Sequence, residues 1–322
     1  MNQEYEAVYL PGHAPASYLS TPLANAGWYD EGQHGGVFAA LVVGHVESEV
    51  PTLTEMQVNR VTIEIFRVIP LVELRIETDV VREGKRIQTV VARIFDNAGT
   101  LLSLATIQRL RTIDLRVPDD ARPPELDFAP PNAVAPMSSE GWGLGEPGKT
   151  MFHRHAIEVR EAIGSFGEKG PGSVWIRLKQ PLIAGQDVTP LQRAVATADF
   201  CNGVSRGLDM SSWVFMNPDL TVHLSRYPSG EWVGLSARSS YGDSGRGVAT
   251  GTLWDESGWL GRSTQSLYLD RTQLQAPSGG EDQGAHQPNE EDTDGNGQNL
   301  SCASPVPGYP GSTDGDQEGK CG

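Results

Sequence analysis

The feature that most constrains the fold is an internal repeat with a period of 159 residues. The segments around Arg67 and Asp96 return around Arg226 and Asp255, and the spacing from Arg to Asp is 29 residues in both copies. In each copy the Asp begins an Asp-x-x-Gly turn between two segments of alternating polarity, which is typical of a β-hairpin. Solenoid repeats recur about every 20–50 residues. The longer period therefore predicts two tandem copies of one domain.

Each copy begins with a helix and continues with strands. In the first copy the run 35–46 is apolar on all sides and too short to span a membrane, which predicts a buried helix. Apolar and polar residues then alternate over 61–65, 73–80 and 102–108, and this period of two predicts half-exposed antiparallel strands. The first copy is therefore predicted to be a curved antiparallel sheet around a buried helix.

The second copy repeats this order, and its helix carries Asp199. Thr189, Pro190 and Gln192 are predicted to begin the helix, with the Thr as N-cap and the Gln closing a capping box. Strands are predicted to follow near 220–226, 232–239, 246–254 and 260–269.

Asp199 is the only charged residue between Arg193 and Arg206. A helix with so little charge is expected to be buried on most sides. Burying a lone carboxylate costs several kcal/mol unless hydrogen bonds relieve the cost, so such a group indicates a functional site. The alternative is an Asp that caps a turn or faces solvent across a narrow polar stripe.

Charge and composition narrow the class of protein. The net charge is −16, and residues 281–322 contribute nine Asp or Glu and one Lys, so this tail is expected to be disordered and acidic. The charge argues against a nucleic-acid surface. No apolar run is long enough for a membrane span, the N-terminus is not that of a signal peptide, and three cysteines do not form a disulfide framework. These features favour a cytoplasmic protein.

Other kinds of site find little support in the sequence. His153 and His155 are expected on a strand, facing one side, without further residues that would complete a metal site. Cys201 is interpreted as a small buried packing residue. The chain lacks a Gly-x-Ser-x-Gly elbow, a phosphate-binding loop and a dinucleotide fingerprint, so no cofactor is expected.

Three motifs, in this order, resemble the acyl-CoA thioesterase II family and its thioesterase-like relatives. The segment His34–Gly36 is similar to the family's entry into the first helix, Asn217–Arg226 resembles a strand of its second domain, and Leu260–Gln265 resembles its closing strand. The resemblance covers roughly residues 10–272. It implies an α+β fold called a double hotdog, in which two tandem antiparallel sheets each wrap around a central helix.

The resemblance and the repeat together suggest domain boundaries. Residues 1–111 are assigned to the N-terminal hotdog and 151–272 to the C-terminal hotdog with the candidate catalytic Asp. Residues 112–150 are a linker or an ordered crossover, and 273–322 are the disordered acidic tail. The two sheets are expected to pair edge to edge into one long sheet.

The family places a water between an Asp, a Thr and a Gln. The resemblance assigns the Asp to Asp199, while Asn217 stands where the family has Thr. The glutamine position falls on Gln265 or, by counting from the hairpin turn, on Ser266; a shift of one residue exchanges the two faces of a strand. Gln265 is preferred because a carboxamide suits the chemistry.

The substrate is expected to bind beside His34, Gly35 and Gly36. Backbone N–H groups at a helix start lie in a positive field and are suited to hold the developing oxyanion. Glycines would let the thioester come close to these groups, although glycine at such positions also serves tight packing.

Three functions are compatible with the sequence. The first is an acyl-CoA thioesterase, which hydrolyses acyl-CoA to a free acid and CoA without a metal. The second is a hydratase or dehydratase acting on 2-enoyl thioesters, although its His and Asp signature is missing. The third is a non-catalytic protein that binds acyl thioesters. Acyl-CoA is the expected partner in the first case, and assembly into a homo-oligomer is compatible with the fold.

Overall fold

A computed structural model describes residues 5–27, 32–138 and 148–272 of the chain. The predicted tail 273–322 and part of the predicted linker lie outside the described residues. The described residues form three α-helices and thirteen strands. The helices are α1 (Gly35–Glu49), α2 (Pro190–Ala198) and α3 (Cys201–Val204). The strands are β1 (Tyr9–Pro11), β2 (Ser17–Ser20), β3 (Met56–Ile65), β4 (Glu73–Arg82), β5 (Ile87–Phe95), β6 (Leu101–Arg111), β7 (Ile157–Ile163), β8 (Gly172–Leu178), β9 (Trp213–Met216), β10 (Asp219–Leu224), β11 (Val233–Gly242), β12 (Arg246–Asp255) and β13 (Gly258–Arg271).

The strands form one antiparallel sheet, and its two halves contain corresponding strands in opposite order. The order across the sheet is β1-β2-β4-β5-β6-β3-β10-β13-β12-β11-β8-β7, with β9 paired to β13. The halves meet where β3 pairs with β10, and Thr62 lies directly opposite Thr221 at this seam. These two residues are 159 positions apart, which is the period of the sequence repeat. An approximate two-fold axis therefore passes between them.

The helices occupy the concave side of the sheet. In α1 the eleven residues from Gly36 to Val46 are buried, because the helix is covered by its own half of the sheet and by α2. Thr189 and Gln192 form the predicted capping box at the start of α2. The double hotdog architecture predicted from the sequence is thus confirmed. No helix in the described ranges is both long and apolar enough to cross a lipid bilayer.

The two central helices touch through glycines of α1. A Cβ atom placed on Gly36 would lie 2.5 Å from the carbonyl oxygen of Ala196, and one on Gly44 would lie 2.0 Å from Nε2 of Gln192. Side chains at these positions would push α1 and α2 apart. Since Asp199 directly follows α2, this close contact fixes the distance between the start of α1 and that carboxylate.

One predicted element is wrong. His153 and His155 lie on a short π-helical turn, Phe152–Ala156, and not on a strand. His153 is buried, whereas His155 is partly exposed, so the two side chains do not share one face. The turn packs Phe152 into the core ahead of β7, and this burial overrides the alternation on which the strand prediction rested.

Candidate active site

Asp199 lies in the tight turn between α2 and α3. Phe200 donates its backbone N–H to Thr197, which ends α2 at Ala198 and places Asp199 just beyond it. The side chain of Asp199 is 7% exposed. A Cβ atom on Gly35 would lie 2.8 Å from Asp199 Oδ2, so only glycine fits between α1 and the carboxylate. The carboxylate therefore sits at the positive N-terminus of α1.

Two carboxamides bind one oxygen of this carboxylate. Asn217 Nδ2 donates to Asp199 Oδ1 at 2.9 Å, and Gln265 Nε2 donates to the same oxygen at 2.8 Å. Gln265 Nε2 also donates to the backbone oxygen of Asp199, and its Oε1 accepts from the backbone N–H of Asn202. The three residues assigned from the family pattern are thus brought together, and both amides fix the carboxylate.

Gln265 contacts Asp199, whereas Ser266 does not. Ser266 donates through its backbone N–H and its hydroxyl to the carboxylate of Asp219, on the other side of β13. The side chains of Gln265 and Ser266 therefore lie on opposite faces of β13, and the preference for Gln265 agrees with its contact with Asp199.

His34 caps α1 beside the carboxylate. Its Nδ1 accepts from the backbone N–H of Gly36 at 3.0 Å and lies 3.3 Å from Asp199 Oδ2. The contact with Gly36 meets the angular requirement of a hydrogen bond, which makes Nδ1 an acceptor and assigns the ring proton to Nε2. Burial lowers the pKa of His34, and the nearby carboxylate only partly opposes this, so the imidazole is neutral near pH 7.

Asp199 Oδ2 is consequently the oxygen available to a ligand. No N–H or O–H donor in the described part of the chain bonds to it. Gly35 N–H, at the first position of α1, likewise has no acceptor among residues 5–27, 32–138 and 148–272. Gly36 differs from the prediction, because its N–H is taken by His34 and its place in the fold is the contact with α2.

A cavity of about 640 Å³ opens in front of these groups. His34, Gly35, Asp199 and Asn217 line it, whereas Gln265 is buried behind Asp199. Most of the remaining wall is apolar and aromatic, and it comes from both halves of the chain: Ile65, Phe66, Val68, Ile69, Phe166, Phe200, Met210, Trp213, Val214, Phe215 and Met216. The site is therefore built between the two hotdogs.

Two guanidinium groups also line the cavity. Arg67 lies in the loop after β3, and Arg206 follows α3 and donates to the backbone oxygen of Phe166. Neither group forms an ion pair with a carboxylate of the described residues. Among the described residues of the wall, Asp199 is the one acidic side chain, so both cations can receive an anionic part of a ligand.

Sequence reasoning missed several residues of the wall. His153 lies in it, and burial, together with the neighbouring His34, lowers its pKa to about 3. Asn202 lines the cavity one turn beyond Asp199. The interruption of the helix at Asp199 and the π-helical turn place these residues here, and neither feature has a signal in the sequence. Cys201 is fully buried with a pKa raised to about 12, in agreement with a packing role.

The structure also contains a smaller twin of this cavity. It has a volume of about 220 Å³ and lies at the equivalent place in the other half. Four of its lining residues precede four lining residues of the large cavity by 159 positions: Glu47, Pro51, Met56 and Arg109 correspond to Arg206, Met210, Phe215 and Tyr268.

The twin cavity carries no counterpart of the carboxylate. The residue 159 positions before Asp199 is Ala40, inside α1. Arg109, which lines the twin cavity, donates to the carbonyl oxygens of Val46 and Val50 at the end of α1. The two halves therefore differ in the residues that surround their cavities.

Within the described ranges, no three His, Cys, Asp or Glu side chains converge as ligands of a metal ion would.

Comparison with known proteins agrees with this architecture. The family model of the acyl-CoA thioesterase N-terminal domain matches residues 25–109, and that of the C-terminal domain matches residues 126–269. No curated protein sequence matches the chain significantly.

Solved structures with the same fold have low sequence identity. A hotdog-fold protein of unknown function from Alicyclobacillus acidocaldarius has 18% identity and a TM-score of 0.61, with 80% of this chain and 95% of that one covered. The acyl-CoA thioesterase II TesB2 from Mycobacterium marinum has 14% identity and a TM-score of 0.57, with coverages of 83% and 96%. These likenesses establish the fold.

Proposed function

The chain belongs to the acyl-CoA thioesterase family, and on that basis we propose that it hydrolyses acyl-CoA to a carboxylic acid and CoA, with Asp199 as general base. The observation that carries the proposal is the asymmetry of the Asp199 carboxylate. Its Oδ1 is held by two carboxamides, while its Oδ2 faces the cavity without a protein donor among the described residues. A water bound to Oδ2 is the expected nucleophile.

The reaction needs one proton to move twice. Asp199 Oδ2 accepts a proton from the water as its oxygen adds to the thioester carbonyl carbon, and a positioned general base contributes about 10²–10⁴-fold. The carbon–sulfur bond then breaks, and the proton passes to the sulfur of the leaving CoA. Asn217 and Gln265 hold Oδ1, so the carboxylate keeps the orientation that this transfer requires.

The helix α1 supplies a donor for the oxyanion. Gly35 N–H is at its N-terminus, where the backbone dipoles favour negative charge, and it borders the cavity. Gly36 N–H is not available, since it donates to His34. His34 thereby fixes the start of the helix, and its neutral imidazole adds no positive charge that would oppose proton uptake by Asp199.

The cavity suits both parts of an acyl-CoA. Its aromatic and aliphatic wall can bury an acyl chain, and each methylene removed from water contributes about 0.8 kcal/mol. Arg67 and Arg206 can attract the phosphates of CoA, in a chain whose net charge of −16 would otherwise repel them.

Release of free CoA thiol from acyl-CoAs of short to long chain tests the proposal. Wild type should hydrolyse part of the panel. Asp199→Asn, which keeps the size of the side chain, should lose about 10²-fold or more in kcat while retaining its affinity for acyl-CoA. If wild type binds acyl-CoA and hydrolyses no chain length, the protein is a thioester-binding protein and the proposal is wrong.

A further inference from the structure

We propose that Asn202 is a second oxyanion donor, and that its side-chain amide binds the carbonyl oxygen of the thioester together with Gly35 N–H. The inference rests on the proposed hydrolysis and adds a residue that contacts the substrate. Three observations support it: the position of Asn202 relative to Asp199, the orientation of its amide, and the lack of any other acceptor for its nitrogen.

The first observation is position. Asn202 follows Asp199 by three residues in a tight helical turn, and both line the same cavity. Side chains three residues apart on a helix have Cβ atoms about 5–6 Å apart. That separation leaves room for a water molecule on the Asp199 carboxylate and for the carbonyl group of the thioester next to this water. A donor at position 202 can therefore reach the carbonyl oxygen, which becomes negatively charged in the reaction.

The second observation fixes the orientation of the amide. Tyr241 OH donates to Asn202 Oδ1 at 3.3 Å, and Ser239 Oγ donates to the same oxygen at 3.2 Å. Tyr241 OH itself accepts from the backbone N–H of Gly207 at 3.0 Å, so its own proton is left for Asn202. Oδ1 is thus the acceptor, and Nδ2 is on the opposite side of the amide.

The third observation concerns Nδ2. Neither Tyr241 nor Ser239 lines the cavity, so the amide oxygen points away from it and the nitrogen points toward it. No acceptor for Nδ2 is found in the part of the chain that the structure describes. The backbone N–H of Asn202 is also engaged, because it donates to Gln265 Oε1. The backbone N–H and the side-chain oxygen of Asn202 are therefore both hydrogen-bonded, and Nδ2 is the donor group that is directed at the ligand.

An oxyanion site with two donors fits the chemistry better than one with a single donor. In a water-excluded site, preorganised donors replace the water molecules that would stabilise the oxyanion in solution, and they do so without reorganisation. A backbone N–H from α1 and an amide from the start of α3 approach from different elements. Both line the cavity beside Asp199. The carboxylate would therefore bind the nucleophilic water, while the two donors would bind the oxyanion.

The experiment measures acyl-CoA hydrolysis by Asn202→Ala and Asn202→Asp, with Tyr241→Phe as matched control. Both Asn202 variants should lose about 10²–10³-fold in kcat, the usual effect of removing one oxyanion donor. Their affinity for an alkyl-CoA thioether, which has no carbonyl group, should stay that of wild type. For Asn202→Ala, which adds no charge near Asp199, the acid limb of the pH–rate profile should not move, because the base is unchanged. Tyr241→Phe removes the same internal hydrogen bond but keeps Nδ2, so its loss should be much smaller.

Four results would overturn the assignment. One is wild-type kcat in a folded Asn202 variant, and another is a loss in Tyr241→Phe as large as in Asn202→Ala. A parallel loss of thioether affinity would indicate a binding role, and a displaced acid limb would indicate action through Asp199. If Asn202→Ala does not fold, Asn202→Asp, which still accepts from Tyr241, decides the question. An inactive wild type would overturn the proposed hydrolysis and this assignment together, whereas inactive Asp199→Asn with active Asn202→Ala would overturn this assignment alone.

Discussion

Asn217 Nδ2 lies 2.9 Å from Asp199 Oδ1 and 3.3 Å from the backbone oxygen of Asp219. The amide thus links the turn after α2 to the start of β10, and Asn217 also lines the cavity. With Gln265 on the same carboxylate oxygen, Asp199 has two fixed donors on one oxygen and a free approach to the other. Each of the two donors can be removed separately.

Removal of the Asn217 amide should slow the reaction without abolishing it. A hydrogen bond to a charged group contributes about 1.5–3 kcal/mol, so Asn217→Ala should lose roughly 10–100-fold in kcat. Asn217→Thr supplies a hydroxyl that can donate to Asp199, and it should retain most of the activity. Steady-state kinetics on both variants would check this. Unchanged kcat in Asn217→Ala would mean that Gln265 alone positions the carboxylate.

The contact between α1 and α2 should make Gly36 intolerant of a side chain. Its Cβ would lie 2.5 Å from a backbone oxygen, which cannot move aside, so Gly36→Ala should lower the free energy of unfolding by about 1–3 kcal/mol. Gly203→Ala is the control. Its Cβ would be 3.5 Å from Phe166, an ordinary contact, and alanine favours a helix. Denaturant unfolding of both variants would show whether Gly36 alone is sensitive.

The second hairpin should depend on an ion pair that the first lacks. Arg226 binds Asp255 through both terminal nitrogens, and Asp255 is 1% exposed. Burial alone would raise the pKa of Asp255, but Arg226 and Ser229 lower it to about 2. Arg226→Ala leaves the carboxylate buried, at a cost of about 3–5 kcal/mol.

Arg67 is the equivalent residue of the first copy, is exposed, and forms no ion pair with a described carboxylate. Arg67→Ala should therefore leave the free energy of unfolding within about 0.5 kcal/mol of wild type. Equal losses in Arg67→Ala and Arg226→Ala would contradict a special role of the pair with Asp255.

Two neutral histidines should make the fold sensitive to acid. Burial lowers the pKa of His34, and burial lowers that of His153 to about 3 from a usual 6.5. At acidic pH the unfolded chain therefore binds more protons than the folded chain does. This contribution to stability is complete above pH 6.5. It falls as the pH decreases toward 3, by about 1.4 kcal/mol per pH unit for His153, and His34 acts in the same direction.

His153→Gln should reduce this slope by about one proton between pH 6 and 4. His223→Asn, at an exposed position on β10, serves as the control and should keep the wild-type slope. Free energies of unfolding at a series of pH values would check the prediction. An unchanged slope in His153→Gln would show that His153 does not titrate in this way.

Much of the fold follows from patterns that the sequence displays openly. The period of 159 residues reappears as the pairing of Thr62 with Thr221, because a duplicated half pairs with its copy across an approximate two-fold axis. Alternation predicts the strands, since one face of each is buried. The capping box of α2 is local chemistry, so it too is visible in the sequence.

The residues of the candidate site are harder to predict from the sequence than the fold is. Asp199 can be identified from the sequence because a single charged residue in an apolar segment indicates a function. This argument does not depend on how the strands pair. The choice between Gln265 and Ser266 depends on which face of β13 points to Asp199, and counting along the chain leaves this open by one residue. The position of His153 is not predictable, because a π-helical turn has no periodic signature. The role of Gly36 depends on α2, a distant part of the chain, and no local pattern reports such a contact.

The difference between the two cavities has a consequence for how the protein should behave in solution. The position equivalent to Asp199 in the first half is Ala40, so the proposed hydrolysis implies one reacting thioester for each chain. A titration should therefore saturate at one equivalent of ligand per chain, and the rate should rise hyperbolically with substrate concentration. The sheet retains the two-fold architecture, whereas the proposed reaction would take place in one half.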